Sequence, residues 1–151
     1  MHGWFFDCVE KLILEKFGEE MWLQIKNKAG CHVETGGWIR LQNYSDEICY
    51  KLFDACDSIL NVDTMELFGQ YFGGHYLIKQ GYQNVLRCKN RSLKEWLNSI
   101  NDMHDNFKSR LPEFIAPEFN CVDDIDDPKQ EAILLHYYSP RGGIFSKVVS
   151  R

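Results

Sequence analysis

The chain has 151 residues, 44% of them hydrophobic, and a formal net charge of −5. That is enough apolar material for one folded domain, and the scattered basic residues leave no electrostatic footprint for nucleic acid. Aromatic residues reach 14%, which suits an aromatic core and also a large flat ligand lying among rings.

The first twenty residues carry acids and no basic leader, so no signal peptide is expected. No stretch approaches the ~18 continuous apolar residues of a membrane span. Cys8, Cys31, Cys49, Cys56, Cys88 and Cys121 are dispersed, without a CxxC pair. They read as reduced thiols in a cytoplasmic protein.

Residues 2–17 read as a helix with Phe5, Val9, Leu12, Ile13 and Phe17 in one stripe and Gly18 as its stop. Residues 19–28 form a second short helix with Met21, Trp22 and Ile25 inward. Cys31 and His32 are adjacent, but two neighbours without further ligands make a loop pair, not a metal site. Trp38 to Tyr44 reads as extended. Ser45 caps a helix running to about Leu60, and Asp63 with Glu66 caps another over residues 64–80. This last helix carries Phe68, Phe72, His75 and Tyr76. Gly69 and Gly73 read as packing devices that admit a neighbouring backbone, with a kink at Gly73-Gly74 as the alternative. His75 is a candidate metal ligand.

The most defined stretch runs from Ser92 to Pro112. Ser92 and Glu95 have capping-box spacing, and Pro112 cannot continue a helix. Leu93, Trp96, Leu97, Ile100, Met103, Phe107 and Leu111 recur on one face, and His104 lies on it. Lys94, Asn98, Asp102, Asp105 and Lys108 fall mainly on the other side. A histidine on an apolar face needs a partner, because burying an unpaired polar ring is costly. A backbone carbonyl or water supplies it on one reading, a metal on the other.

Two extended runs follow Pro117, Glu118 to Val122 and Glu131 to Ser139. Between them DDIDDPKQ reads as a solvated hairpin turn, since the glycine and closing glutamate of a calcium loop are missing. In the second run Ile133, Leu135, Tyr137, Ser139 and Arg141 share a face. That face ends in phenol, hydroxyl and guanidinium, which suits a ligand with an apolar body and paired carboxylates. An exposed strand end with Arg141 in solvent is the plainer alternative. Ile144, Phe145, Val148 and Val149 begin an amphipathic helix cut at Arg151, so the domain is expected to be truncated there.

The pieces MHGW, LEKFGEE, LFGQYF, MHDNF, LPEFIAPEFNC and LLHYYSPRGG, in this order, resemble the haem nitric-oxide/oxygen-binding (H-NOX) family. Within it the chain is similar to the regulatory domain of soluble guanylate cyclase beta subunits. The resemblance covers nearly the whole chain. It implies one α+β domain over residues 1–151, with a helical N-terminal part packed over a twisted antiparallel sheet and non-covalent haem b between them. It implies His104 as the proximal ligand of haem iron and Tyr137, Ser139 and Arg141 as the propionate clamp. It also implies Pro117 pressing on the porphyrin, and Phe5, Val9 and Phe72 near the gas.

The implied role is that of a sensor without turnover. It would bind nitric oxide and carbon monoxide at five-coordinate ferrous haem and regulate a guanylate cyclase catalytic domain or partner subunit. No tyrosine stands in the helix after the Tyr-x-Ser-x-Arg run, where oxygen-holding members carry one. Tyr71 and Tyr76 lie on another helix, with Tyr76 closer in phase to Phe72. Two departures are Pro140 inside the motif and Lys147, read as facing solvent with Val148 inward. The rival readings are a haem-free H-NOX-like module for subunit pairing and a small thiol- or metal-dependent enzyme.

Overall fold

The computed structural model describes residues 1–81, 92–111, 113–129 and 132–141. They belong to two compact units, Met1–Gln80 and the described part of Gly81–Ser146. Among the described residues, helices and one antiparallel hairpin give the expected α+β class.

In the first unit, α1 (Gly3–Phe17) and α2 (Glu19–Ala29) are separated by Gly18 alone. Gly18 adopts φ 85°, a value that side-chain-bearing residues rarely tolerate. Helix α3 (Asp46–Leu60) starts where the Ser45 hydroxyl accepts the Glu47 N–H. Helix α4 (Thr64–Tyr71) starts where the Asp63 carboxylate accepts the Glu66 N–H. Both caps are those expected from sequence. The core joins Phe5, Phe6, Val9, Leu12 and Ile13 of α1 to Trp22, Ile25, Leu52, Phe53, Cys56 and Phe68. Phe5 meets Phe68 at 4.6 Å between ring centroids, and Phe6 stacks on Trp38 at 4.5 Å.

Two expectations change here. Helix α4 does not run unbroken to residue 80: Phe72–Tyr76 form a π-turn before a last short turn, α5 (Leu77–Lys79). A Cβ added to Gly73 or Gly74 would meet nothing within 4 Å. The pair therefore loosens the helix and does not admit a neighbouring backbone. Trp38 to Tyr44 is a turn, with Gln42 N–H donating to Ile39 O, and only an isolated bridge joins His2 to Asn43. The reason lies at the start of α1, whose first N–H groups have no partner inside the helix. The Gln42 carbonyl accepts from Gly3 and the Arg40 carbonyl from Trp4, at 2.9 and 3.1 Å. A Cβ on Gly3 would lie 2.1 Å from the Ile39 carbonyl oxygen, so this approach needs glycine.

The second unit contains α6 (Leu93–Arg110), β1 (Glu118–Asp123) and β2 (Ile133–Tyr138). The expected capping box is present at Ser92 and Glu95. Pro112 lies outside the described residues; the helix ends with Leu111 N–H donating to Phe107 O at 2.8 Å. Strands β1 and β2 pair antiparallel, with Phe119 opposite Tyr137 and Cys121 opposite Leu135. The aspartates between them cap the turn, as the Asp127 carboxylate accepts from Lys129 and Ala132 N–H. The expected helix from Ile144, with Lys147 and Val148, lies outside the described residues. Among the described residues no helix is long and apolar enough to cross a membrane.

Glu10 is the buried acid of the first unit, only 4% exposed. Its carboxylate accepts from Gly36 N–H and from Trp38 Nε1. Burial raises its pKa above the ordinary 4.5, while the two donors oppose the rise. The folded state therefore holds this proton at higher pH than the unfolded chain does, and stability falls as pH rises through that window. Relative to Glu10→Gln, the wild type should gain stability as pH falls from 7 to 5, measured by urea midpoints at both values. A difference independent of pH would contradict this.

Candidate functional site

Helix α6 buries none of its residues completely, and Leu93, expected inward, is 63% exposed. Its apolar stripe from Trp96 to Phe107 is half-buried. His104 sits in that stripe between two rings, Phe114 at 6.1 Å and Phe119 at 5.9 Å. Phe114 also packs on Phe107, and Phe119 on Tyr137 across the hairpin.

The His104 ring nitrogen Nδ1 lies 3.0 Å from the Pro117 carbonyl oxygen. A carbonyl only accepts, so Nδ1 carries the proton and donates. Nε2 is then the bare nitrogen, with its lone pair in the ring plane. The carbonyl partner envisaged from sequence is thus present, and it is the arrangement that prepares imidazole to bind a metal through Nε2. Burial lowers the His104 pKa, and the Pro117 carbonyl opposes this by favouring the protonated ring. Burial is the larger effect, so Nε2 stays unprotonated below the ordinary histidine range.

Tyr137 lies on the half-buried face of β2, and the burial alternation continues through Ser139 and Arg141. The expected extended face is nevertheless cut short. β2 ends at Tyr138, and the Ser139 hydroxyl accepts the Arg141 N–H at 3.0 Å, closing a turn. Pro140 explains the break: its ring fixes φ and removes the N–H that a continuing ladder would use. Arg141 Nη1 donates to Ile115 O at 3.2 Å. Arg141 and His104 therefore grip the same short segment, Ile115 to Pro117, from two elements.

The remaining predicted residues lie in the first unit. Phe5 and Val9 are core, 6% and 1% exposed. Phe72 is half-buried, stacked on Trp4 and Phe68 at 5.7 Å each. Val9, Phe5 and Phe72 offer no polar side-chain atom. The Tyr76 hydroxyl donates to Asp7 Oδ2 at 2.8 Å, and the Tyr71 phenol lies under the influence of the Glu15 carboxylate. Burial first, then these carboxylates, raise both phenol pKa values. The other candidate histidine, His75, pairs through Nε2 with Glu15 Oε2 at 3.2 Å on a half-exposed surface that Lys79 also joins. Among the described residues no three His, Cys, Asp or Glu side chains gather as a metal site. A single histidine with a fixed tautomer amid aromatic rings suits a metal brought in by a flat macrocycle.

The sequence pattern put Asn98 on the polar side and left Asn101 unassigned. Asn98 and Asn101 face the edge of β1, where their amides pair with the backbone of Cys121 and Phe119. The clue was their spacing, three residues apart and in line with His104.

The Haem-NO-binding family model matches residues 2–150, and the chain belongs to that family. Among curated proteins it is 34% identical to soluble guanylate cyclase gcy-37 of Caenorhabditis elegans, over 96% of this chain and 20% of that protein. It is 27% identical to gcy-34 of the same organism, over 96% and 21%. The chain thus spans about a fifth of these relatives. The unliganded Fe(II) H-NOX protein of K. algicida matches in fold with TM-score 0.76 and 21% identity, over 99% of this chain and 78% of that one. The H-NOX protein of S. oneidensis in its Fe(II)NO state matches with TM-score 0.72 and 18% identity, over 99% and 84%.

The geometry at His104 makes one titration decisive. In haem-free protein the His104 ring should titrate below ~6.5, the ordinary histidine value. The folded state then gains stability from this group above the unfolded pKa and loses it as pH falls. Proton NMR of the ring across pH 4–8 measures the midpoint. A midpoint at or above the ordinary value would contradict the described environment.

Proposed function

We propose that this chain is a haem-based gas-sensing domain that responds to nitric oxide and regulates an attached or partner guanylate cyclase. The observation that carries the reading is the His104 imidazole, fixed by the Pro117 carbonyl with Nε2 left as the basic nitrogen. Membership of the Haem-NO-binding family and similarity to soluble guanylate cyclases support it. Haem b would be held by His104 on iron, by Tyr137, Ser139 and Arg141 at the propionates, and by Pro117 against the porphyrin. Phe5, Val9 and Phe72 would line the gas side. The chemistry such a haem would supply is an iron centre able to take a diatomic gas.

This chain's own residues account for the rest. Pro117 holds the ring and keeps Nε2 basic. Arg141 brings a planar guanidinium suited to carboxylate, and its Nη1 also donates to Ile115 O. With haem bound, His104 would tie α6 to the cofactor, and keeping or losing that tie would bias the position of α6. The domain transmits a change of state and turns over no substrate. Cyclase activity would reside in protein outside these 151 residues.

The first test is His104→Gly. Wild-type protein should purify with, or take up, haem and show a strong Soret band. The variant should lose its ferrous spectrum, and added imidazole should restore it. An unchanged variant spectrum without imidazole refutes the ligand assignment. Absence of a Soret band from wild type under haem supply would favour the haem-free interaction module.

Gas preference is a second consequence. Oxygen gains from a hydrogen-bond donor at its outer atom far more than nitric oxide or carbon monoxide does. Phe5, Val9 and Phe72 would provide none, and the Tyr76 hydroxyl is held by Asp7. Ferrous protein should therefore change spectrum with nitric oxide and with carbon monoxide, yet keep its unliganded spectrum on first exposure to air. A stable oxygenated spectrum would contradict the apolar gas side.

A further inference from the structure

The edge of β1 that faces α6 carries a regular series of backbone groups. Phe119 and Cys121 are each bonded on that side by one asparagine amide, in both directions. Asn98 Nδ2 donates to Cys121 O at 3.1 Å, and Cys121 N–H donates to Asn98 Oδ1 at 2.7 Å. Asn101 Nδ2 donates to Phe119 O at 2.6 Å, and Phe119 N–H donates to Asn101 Oδ1 at 2.9 Å. His104 Nδ1 continues the row at Pro117 O, 3.0 Å away. Steps of three along the helix, 98, 101 and 104, thus meet steps of two back along the strand, 121, 119 and 117.

The chemistry of each rung matches its partner. A carboxamide has one donor side and one acceptor side, so it copies the edge of a neighbouring strand for a residue that offers both N–H and C=O. Either amide flipped would set N–H against N–H and oxygen against oxygen. Residue 117 is proline, which has no N–H. Its rung offers an acceptor alone, and a single imidazole N–H answers it. The register of α6 against β1 therefore decides which imidazole nitrogen keeps the proton.

We propose that Asn98 and Asn101 are positioning residues for His104: their paired amides lock α6 in register with β1, and that register holds the imidazole in its Nδ1–H tautomer with Nε2 bare. The significance for a metal rests on the haem reading above, but the device itself is a property of the haem-free chain. Lys94 joins the same two elements through an exposed ion pair to Asp123, outside the row of rungs, and serves as a control.

The test uses full-length haem-free protein and two readouts. Long-range proton–nitrogen NMR reports the tautomer of His104, and hydrogen exchange reports the Phe119 and Cys121 amides. Wild type should show the Nδ1–H tautomer and protection of both amides. Asn101→Ala and Asn98→Ala should speed exchange of the paired amide by about tenfold, the loss expected for removing its hydrogen bond. Both variants should also move His104 toward the Nε2–H tautomer. Lys94→Ala should change neither, and Asn101→Asp, which keeps the acceptor for Phe119 N–H, should retain more protection than Asn101→Ala. A His104 tautomer unmoved in Asn101→Ala, with the Phe119 amide deprotected, overturns the positioning role. Wild-type His104 in the Nε2–H form overturns it as well. Neither result depends on haem uptake, so failure of haem binding and failure of this proposal are separable.

Discussion

The hydrogen bond from His104 Nδ1 to the Pro117 carbonyl is the contact on which the second unit turns. It joins the long helix to the segment that leads into β1. It satisfies a half-buried polar ring that would otherwise be costly among Phe114 and Phe119. It also sorts the two ring nitrogens into a donor and a base. Arg141 fastens the other end of the same segment at Ile115, so the residues expected to hold a cofactor share one short stretch of backbone.

A two-stranded hairpin is at best marginally stable alone, and its edges expose unpaired N–H and C=O groups. Here α6 covers one edge with polar side chains that act as a third strand. Four amide–backbone hydrogen bonds, each worth about 0.5–1.5 kcal/mol net, join helix and hairpin. Phe119 on β1 meets both His104 and Tyr137. The first unit solves a different problem. Its core is aromatic, and Asp7 gathers Lys11, Arg40 and the Tyr76 hydroxyl on one carboxylate oxygen. That carboxylate keeps a phenol in a region where Phe72, Phe68 and Trp4 are otherwise stacked.

Much of this was legible in the sequence because local signals agreed. Ser45, Asp63 and Ser92 mark helix starts by side-chain chemistry that acts within three residues. The apolar steps of α1 and α3 and the alternation of β2 are likewise short-range. What escaped depends on distant partners. The turn at residues 38–44 is shaped by the unpaired N–H groups of α1, which no local pattern reveals. Asn98 looked solvent-facing because amphipathicity sorts residues by polarity, whereas an edge strand recruits a polar residue inward. Ser139 and Arg141 kept the expected burial but left the strand, because Pro140 acts on hydrogen bonding and not on which side a chain faces. His104 was visible from its place on the helix; the backbone-carbonyl partner is found at Nδ1, and it leaves Nε2 for the metal reading.

The most direct measurement is resonance Raman spectroscopy of unliganded ferrous protein prepared with two iron isotopes. The account predicts a low-frequency iron–histidine stretching band that shifts with iron mass and disappears in His104→Gly. An isotope-sensitive band that survives that substitution, or haem-loaded wild type with no such band, would contradict His104 as the tether.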